Sequence, residues 1–364
     1  MVRIIHCADF HIGATFPVNG DKFRETLIDD FNRLVSLCID KDIDILLIAG
    51  DLFDSNRVWG ISLSTVIDGL RRLSENGLKC FILPGTHDKL TKDSIYQQLP
   101  KISNVFIFGL DCDYYYDDTT GIYITGNAYK GEDVGKRALR GLSPREDART
   151  NIALAHASIE GGLVSGDDML ISDEEMKKSG FDYIALGHWH RFNIVRGQKP
   201  IAIYPGSIEP LSRDQRETGN VILVEIDNGE TKYTPIRIGK LKVKNISIEL
   251  KGEDKTNEII ETIKEYKDEN IILNLKLNGT IKPTEEIDFD GIKDICHSDF
   301  FAISITKDAL EVITDEIPSD IPKDSVLGRF CEKVQAKIKE AKDEREKNYW
   351  KDVLIEGIRL TRRH

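Results

Sequence analysis

Five times in the first 240 residues, a short run rich in Ile, Val and Leu ends in Gly or Ala and is followed within two residues by aspartate or histidine. The runs are Val2 to Ala8 before Asp9, Ile43 to Gly50 before Asp51, Lys79 to Gly85 before His87, Ile152 to Ala155 before His156, and Tyr183 to Gly187 before His188. Apolar residues at consecutive positions suit strands buried on both faces, and helical periodicity over Phe23 to Ile39 and Ile61 to Leu73 separates the first of them. In a helix-covered sheet, side chains that follow the carboxyl ends of strands gather on one rim. Residues far apart in the chain therefore meet there. Gly50, Gly85 and Gly187 imply close backbone packing around that rim.

At 364 residues the chain exceeds the size at which one hydrophobic core stops growing. A pattern change near residue 240 predicts a first domain over residues 1–240, closed by a strand pair at Val221 to Ile226 and Tyr233 to Ile236. A small α+β domain is predicted over 241–318, from Val243 to Leu250, Asn257 to Tyr266, Ile271 to Leu277, Ile287 to Cys296 and Phe300 to Ile305. The tail, 319–364, reads as two amphipathic helices with stripes Leu327, Phe330, Val334, Ile338 and Trp350, Val353, Leu354, Ile358. Two readings of these stripes stand side by side: docking on the chain's own domains, or an apolar surface for a partner helix.

No apolar run approaches the roughly 20 residues that cross a bilayer, and no charged leader opens the chain, so a cytoplasmic protein with no membrane partner is expected. The six scattered cysteines, Cys7, Cys38, Cys80, Cys112, Cys296 and Cys331, read as reduced core thiols. A net charge of −12 opposes strong autonomous binding to a phosphate backbone and assigns any such role to a local patch, a metal or a basic partner.

Each Asp or His motif alone is weak, because a buried histidine is usually a hydrogen-bonded core residue. Together, Asp9, His11, Asp51, His87, Asp88, His156, His188 and His190 contain five of the eight histidines, all at the ends of apolar runs. His6, His297 and His364 lack that context. Imidazoles and carboxylates without cysteine suit divalent manganese, iron or zinc, and Asp51 has two oxygens with which to bridge two ions. Two ions about 3.5–4 Å apart would clamp a phosphate and supply hydroxide near neutral pH.

Asp9-Phe10-His11, Gly50-Asp51, Gly85-Thr86-His87-Asp88, His156 and Gly187-His188-Trp189-His190 resemble, in order and spacing, the signature of the calcineurin-like metallophosphoesterases. Gly50-Asp51-Leu52-Phe53-Asp54 and Tyr204-Pro205-Gly206-Ser207 are similar to SbcD-type nucleases of DNA double-strand-break repair. The likeness covers residues 1–240. It implies an α/β fold, a four-layer α-β-β-α sandwich with a small α+β capping domain and a helical tail. It also implies two divalent ions, manganese foremost, with iron, zinc or magnesium as alternatives. Asp9, His11 and His190 would hold one ion, His156 and His188 the other, with Asp51 bridging; His87 would act on the scissile phosphate, oriented by Asp88.

Thr86 departs from that pattern, which places Asn before the catalytic His as a ligand to the second ion. A shorter, neutral hydroxyl predicts weaker occupancy there. The implied activity is 3′–5′ exonuclease and single-strand endonuclease action on DNA, with an SbcC-type coiled-coil ATPase bound through the C-terminal helices and a homodimer as the assembly. Two alternatives stand: hydrolysis of small phosphodiesters, and a catalytically weakened scaffold for the ATPase. Trp189, between two ligands, is a candidate for base stacking, although local packing is the commoner fate of such a residue. Arg191 and Arg213 are candidate phosphate contacts, ahead of Arg71, Arg72, Lys136, Arg137, Arg140 and Arg145, which suit a solvated face.

Overall fold

A computed structural model of the chain describes residues 1–110, 113–131, 135–162, 168–227, 229–252, 254–281, 285, 287–312 and 321–362. It divides into two compact units, Met1–Val243 and Lys244–His364. In chain order the first unit contains β1 (Val2–Cys7), α1 (Gly20–Asp40), β2 (Ile45–Ala49), α2 (Ile61–Glu75), β3 (Lys79–Leu83), β4 (Val105–Ile107), β5 (Asp113–Asp117) and β6 (Ile122–Gly126). There follow β7 (Thr150–His156), β8 (Ser158–Ile159), β9 (Leu170–Ile171), α3 (Asp173–Lys178), β10 (Tyr183–Gly187), β11 (Asn193–Arg196), β12 (Ile201–Tyr204), β13 (Asn220–Asp227) and β14 (Glu230–Arg237).

The expected strands divide between two six-stranded sheets, β14-β13-β1-β2-β3-β4 and β11-β12-β10-β7-β6-β5. Four neighbours in each sheet run parallel, β1 to β4 and β12-β10-β7-β6, with antiparallel strands beside them. Apolar side chains on every second position make one core from both sheets, including Ile4, Leu47, Ala49, Phe81, Ile152, Leu154, Tyr183, Ala185, Ile222 and Val224. That shared core stacks the sheets face to face. The outer side of the second sheet packs Ala155, Ile184 and Tyr204 against Met176 of α3 and the segment containing Tyr129 and Leu139. α1 buries Phe23, Leu27, Phe31, Leu34 and Cys38 at helical spacing, and α2 buries Val66, Leu70 and Leu73. The result is the expected α-β-β-α sandwich, with one short helix and loops as its second outer layer.

The parallel register turns the carboxyl ends of β1, β2 and β3 towards one edge of the first sheet, and those of β7 and β10 towards one edge of the second. The pair β13 and β14 completes the first sheet by adding to β1, so β1 is an inner strand. Cys7, Cys38, Cys80, Cys296 and Cys331 are buried free thiols, and Cys112 lies outside the described residues.

In the second unit, β15 (Lys242–Leu250), α4 (Lys255–Lys264), β16 (Asp268–Ile281), α5 (Phe289–Cys296) and β17 (Phe300–Val312) build a three-stranded sheet with two helices. Ile259, Ile263, Ile292 and Cys296 bury against Leu273, Leu275 and Leu277 of the sheet. The tail forms α6 (Val326–Glu340) and α7 (Glu344–Arg362). Their apolar stripes meet each other: Val334, Ile338, Leu354 and Ile358 form one buried cluster, with Leu327, Phe330, Trp350 and Val353 packed at its margin. The periodicity gives two amphipathic helices but not this outcome, a helical hairpin that is its own partner.

Candidate metal centre

Asp9 and His11 follow β1, Asp51 follows β2, Thr86 and His87 follow β3, His156 ends β7, and His188 and His190 follow β10. Backbone hydrogen bonds run on beyond the first two strands, Asp9 N to Gly50 O at 3.1 Å and His11 N to Asp51 O at 3.0 Å. These bonds carry Asp9 and His11 beyond β1, and Asp51 beyond β2, onto one rim. Strain accompanies them. Four of the eight described non-glycine residues with positive φ are Asp9 (53°), His11 (50°), Asp51 (50°) and His188 (97°), a conformation that surrounding contacts must hold in place.

The two sheets come close here. A Cβ on Gly187 would lie 1.8 Å from the Ala49 carbonyl oxygen, and one on Gly50, whose φ is 94°, would lie 2.1 Å from His156 Nδ1. Only glycine admits such an approach.

Among the described residues, potential donor atoms within 4.8 Å of one another form three groups: His11 with Asp54 and His87 at the mouth and, holding the expected ligands, Asp9 with His11 and His190, and Asp51 with His156 and His188. Asp51 stands between them: its Oδ2 is 3.2 Å from His156 Nε2 and 3.8 Å from His11 Nε2. Thr86 Oγ1 donates to the same oxygen at 3.1 Å and lies 3.4 Å from His156 Nε2. The hydroxyl thus occupies the mouth of the Asp51 group without offering the reach of an amide oxygen.

Each of these four imidazoles has one ring nitrogen in contact with a group behind it, which fixes the direction of the ring. His156 Nδ1 meets Ala49 O at 2.9 Å, His190 Nδ1 meets Gln215 Nε2 at 3.0 Å, His11 Nδ1 meets Asp54 Oδ1 at 3.3 Å, and His188 Nε2 meets Asp168 Oδ1 at 2.9 Å. The sequence reading missed Asp54, Asp168 and Gln215. Asp54 lies inside a quoted motif, three residues after Asp51, and was legible as an acidic residue with no apolar role.

Electrostatics describe a site built for cations. Burial pushes Asp9 up to about 7, against the pull of His156. Burial also pushes Asp51 up, but His156, by charge and hydrogen bond, holds it well below the usual carboxylate range. For His156 burial acts downward, and Asp51 and Asp9 overcome it to lift the ring to about 10. His190 is driven down to about 3 by burial and by the neighbouring His11. Among the described residues, Asp9 and Asp51 have only imidazoles as cationic neighbours, with no Lys or Arg in salt-bridge range. Two buried carboxylates among imidazoles, without thiolates, fit hard or borderline divalent ions.

One assigned contact is corrected. Asp88 does not orient His87; its buried carboxylate accepts from Tyr96 Oη at 2.5 Å, Gly85 N at 2.7 Å and Phe53 N at 3.1 Å. The turn explains this, because His87 N donates to Asp51 Oδ1 at 2.8 Å and the next side chain then points into the core. Asp54 faces His87 instead, its carbonyl oxygen 3.0 Å and its Oδ1 3.7 Å from Nδ1. His87 itself is about half exposed at the mouth, its side chain at 48%. Trp189, between His188 and His190, is partly buried. It packs against the outer core of the second sheet and lines a cavity of about 410 Å³ with Ile159, Asn193, Ile194 and Tyr204. Arg191 is exposed, with Nη2 3.5 Å from Asp214 O, and Arg213 is half-buried. Arg137 and Arg145 are engaged locally, by Glu160 and Glu175 and by Asp147.

A sandwich of two mixed sheets whose strand ends converge on paired Asp and His groups defines a metallophosphoesterase. The calcineurin-like phosphoesterase family matches residues 2–192, more than half of the chain, and the chain belongs to that family of hydrolases. It is similar to the uncharacterized metallophosphoesterase YhaO of Bacillus subtilis, 25% identical over 245 residues, which cover 64% of this chain and 59% of that protein. It is also similar to two archaeal proteins named DNA double-strand break repair protein Mre11. That of Methanopyrus kandleri is 28% identical over 255 residues, covering 63% of this chain and 55% of the relative. That of Methanocaldococcus jannaschii is 22% identical over 299 residues, covering 80% of each. The chain thus spans less than two thirds of the first two relatives. No helix among the described residues is long and apolar enough to cross a membrane.

Proposed function

We propose that the chain is a two-metal phosphodiesterase acting on DNA ends, as a 3′–5′ exonuclease and single-strand endonuclease in double-strand-break repair. The observation that carries this reading is the pair of donor groups meeting about Asp51 on converging strand ends. Asp9, His11 and His190 would hold one ion, and His156 and His188 the other, with Asp51 between the two groups. Bound there, manganese or a similar divalent ion would supply Lewis acidity and lower the pKa of water towards neutrality. Asp51 fixes the His87 backbone, and Asp54 keeps the His87 ring turned to the mouth, where it stabilises charge on the phosphate or protonates the departing oxygen.

The name Mre11 on several relatives supports DNA as substrate, and an SbcC-type ATPase bound through the α6–α7 hairpin would supply the positive surface that a chain of charge −12 lacks. A homodimer is part of the same reading. The test is cleavage of end-labelled duplex and single-stranded oligonucleotides by the full chain with manganese, beside hydrolysis of a small diester such as a cyclic nucleotide. Oligonucleotide cleavage that disappears in His87→Ala supports the proposal. Hydrolysis of the small diester alone overturns the DNA assignment.

A second reading, a scaffold with weakened hydrolysis, is favoured by Thr86, whose hydroxyl bonds Asp51 in the ligand region. Thr86→Asn then binds the weaker manganese ion on the order of tenfold more tightly, the effect of one ligand contact worth ~1.4 kcal/mol. Unchanged affinity and activity show the threonine to be harmless.

A further inference from the structure

His188 follows β10 with a φ of 97°, its backbone N–H donating at 3.0 Å to both carboxylate oxygens of Asp9. Its side chain is anchored by Asp168, which is 2% exposed and in no motif. Its Oδ1 lies 2.9 Å from His188 Nε2, and its Oδ2 accepts from Ser158 Oγ at 2.5 Å. Both carboxylate oxygens are engaged. The backbone is tied as well: the Asp168 carbonyl accepts from Gly135 N at 2.8 Å, the next carbonyl, of Met169, accepts from Ser158 N at 2.9 Å, and β8 pairs with β9 immediately beyond.

The four imidazoles are not backed alike. His156 and His190 rest on neutral groups, the Ala49 carbonyl and the Gln215 amide, whereas His11 and His188 each face a carboxylate. Each donor group therefore contains one carboxylate-backed imidazole. A carboxylate at Nε2 keeps the proton on that nitrogen, leaves Nδ1 with a free lone pair, and makes that lone pair more basic. The gain falls on the group where Thr86 stands.

We infer that Asp168, locked by Ser158, is a positioning residue for the second metal site, fixing the tautomer and direction of His188 and offsetting the weak ligand Thr86. The inference rests on the two-metal reading of the site. Manganese is titrated calorimetrically into the metal-free full chain, with electron paramagnetic resonance recorded on the same samples and melting measured in EDTA. In the unaltered chain two ions bind and give the spectrum of a coupled pair. Binding of none would sink the two-metal reading itself, a result separable from failure of the Asp168 assignment.

In Asp168→Asn and Asp168→Ala, one of the two ions binds about 10- to 100-fold more weakly, the usual cost of losing a partner behind a ligand. The spectrum becomes that of isolated manganese at concentrations where the unaltered chain shows the pair. Ser158→Ala, which removes only the lock, weakens the same ion about three- to tenfold, as for one lost hydrogen bond. It also answers the question should Asp168→Ala not fold. Two ions bound at unchanged affinity in Asp168→Asn and Ser158→Ala, with or without a lowered melting temperature in EDTA, would overturn the inference and leave Asp168 a purely structural residue.

Discussion

Gly187→Ala adds one methyl group at the point where the two sheets come closest. In a strand this exchange ordinarily stabilises by roughly 0.5–1 kcal/mol, because glycine loses more freedom on folding. Here the added Cβ would lie 1.8 Å from the Ala49 carbonyl oxygen and 2.9 Å from its carbon, both backbone atoms of a buried strand. A carbon–oxygen contact needs about 3.3 Å, so the ends of β2 and β10 must part by about 1.5 Å. The same oxygen holds His156 Nδ1 at 2.9 Å, and a displacement of that size takes the bond out of range. Overpacking costs about 1–3 kcal/mol and an orphaned buried polar group about 1–3 kcal/mol, which together make roughly 2–6 kcal/mol. For a domain of this size that is a fall of roughly 4–24 °C in melting temperature, near 12 °C at the centre of the range. Calorimetric melting of the metal-free chain measures it, and a manganese titration reads the second effect, weaker binding where His156 has lost its seat. A variant that melts within about 2 °C of the parent and binds manganese equally well would refute the close approach of the sheets on which the site is built.

Other perturbations separate the roles of individual side chains. Asp54→Ala removes the carboxylate behind His11 Nδ1 but keeps the carbonyl oxygen that meets His87 Nδ1, so it weakens manganese binding about 10- to 100-fold in a calorimetric titration; unchanged affinity would exclude Asp54 as the group that positions His11. Asp88→Ala strands Tyr96 Oη, Gly85 N and Phe53 N and costs about 2–4 kcal/mol in denaturant titrations; the reverse pattern would restore Asp88 as the partner of His87. His6 is fully buried, its Nδ1 2.9 Å from Tyr183 Oη, and burial pushes it from 6.5 down to about 3. Between those values the unfolded chain binds the extra proton, so this contribution to stability is intact above pH 6.5 and is lost as pH falls through that window. The loss is about 2 kcal/mol at pH 5. His6→Gln removes that slope, so the difference in unfolding free energy between pH 7 and pH 5 is about 2 kcal/mol smaller than in the parent; equal slopes would exclude a neutral His6.

Which residues meet at the centre follows from strand order alone, because a parallel strand's carboxyl end is a fixed address and the apolar runs before Asp9, Asp51, His87, His156 and His188 mark those addresses directly. Their division between two sheets is not legible that way: β1, β2 and β3 read like β7 and β10, and only the long-range pairing separates them. The groups behind the imidazoles are harder still. Asp168 and Gln215 sit in loops with no periodic context, and their contacts span 20 and 25 residues and depend on turns that no local pattern encodes. Asp54 and Asp88 show the limit most sharply. Both carboxylates are near His87 in sequence or motif, and the adjacent one looked the better partner. The hydrogen bond from His87 N to Asp51 Oδ1 fixes the turn, sends Asp88 inward to three buried donors, and leaves the rim to Asp54. The tail repeats the lesson at the scale of helices. A stripe every three or four residues says that a face must be covered, and α6 and α7 cover one another because a short connection makes an antiparallel neighbour the nearest apolar surface.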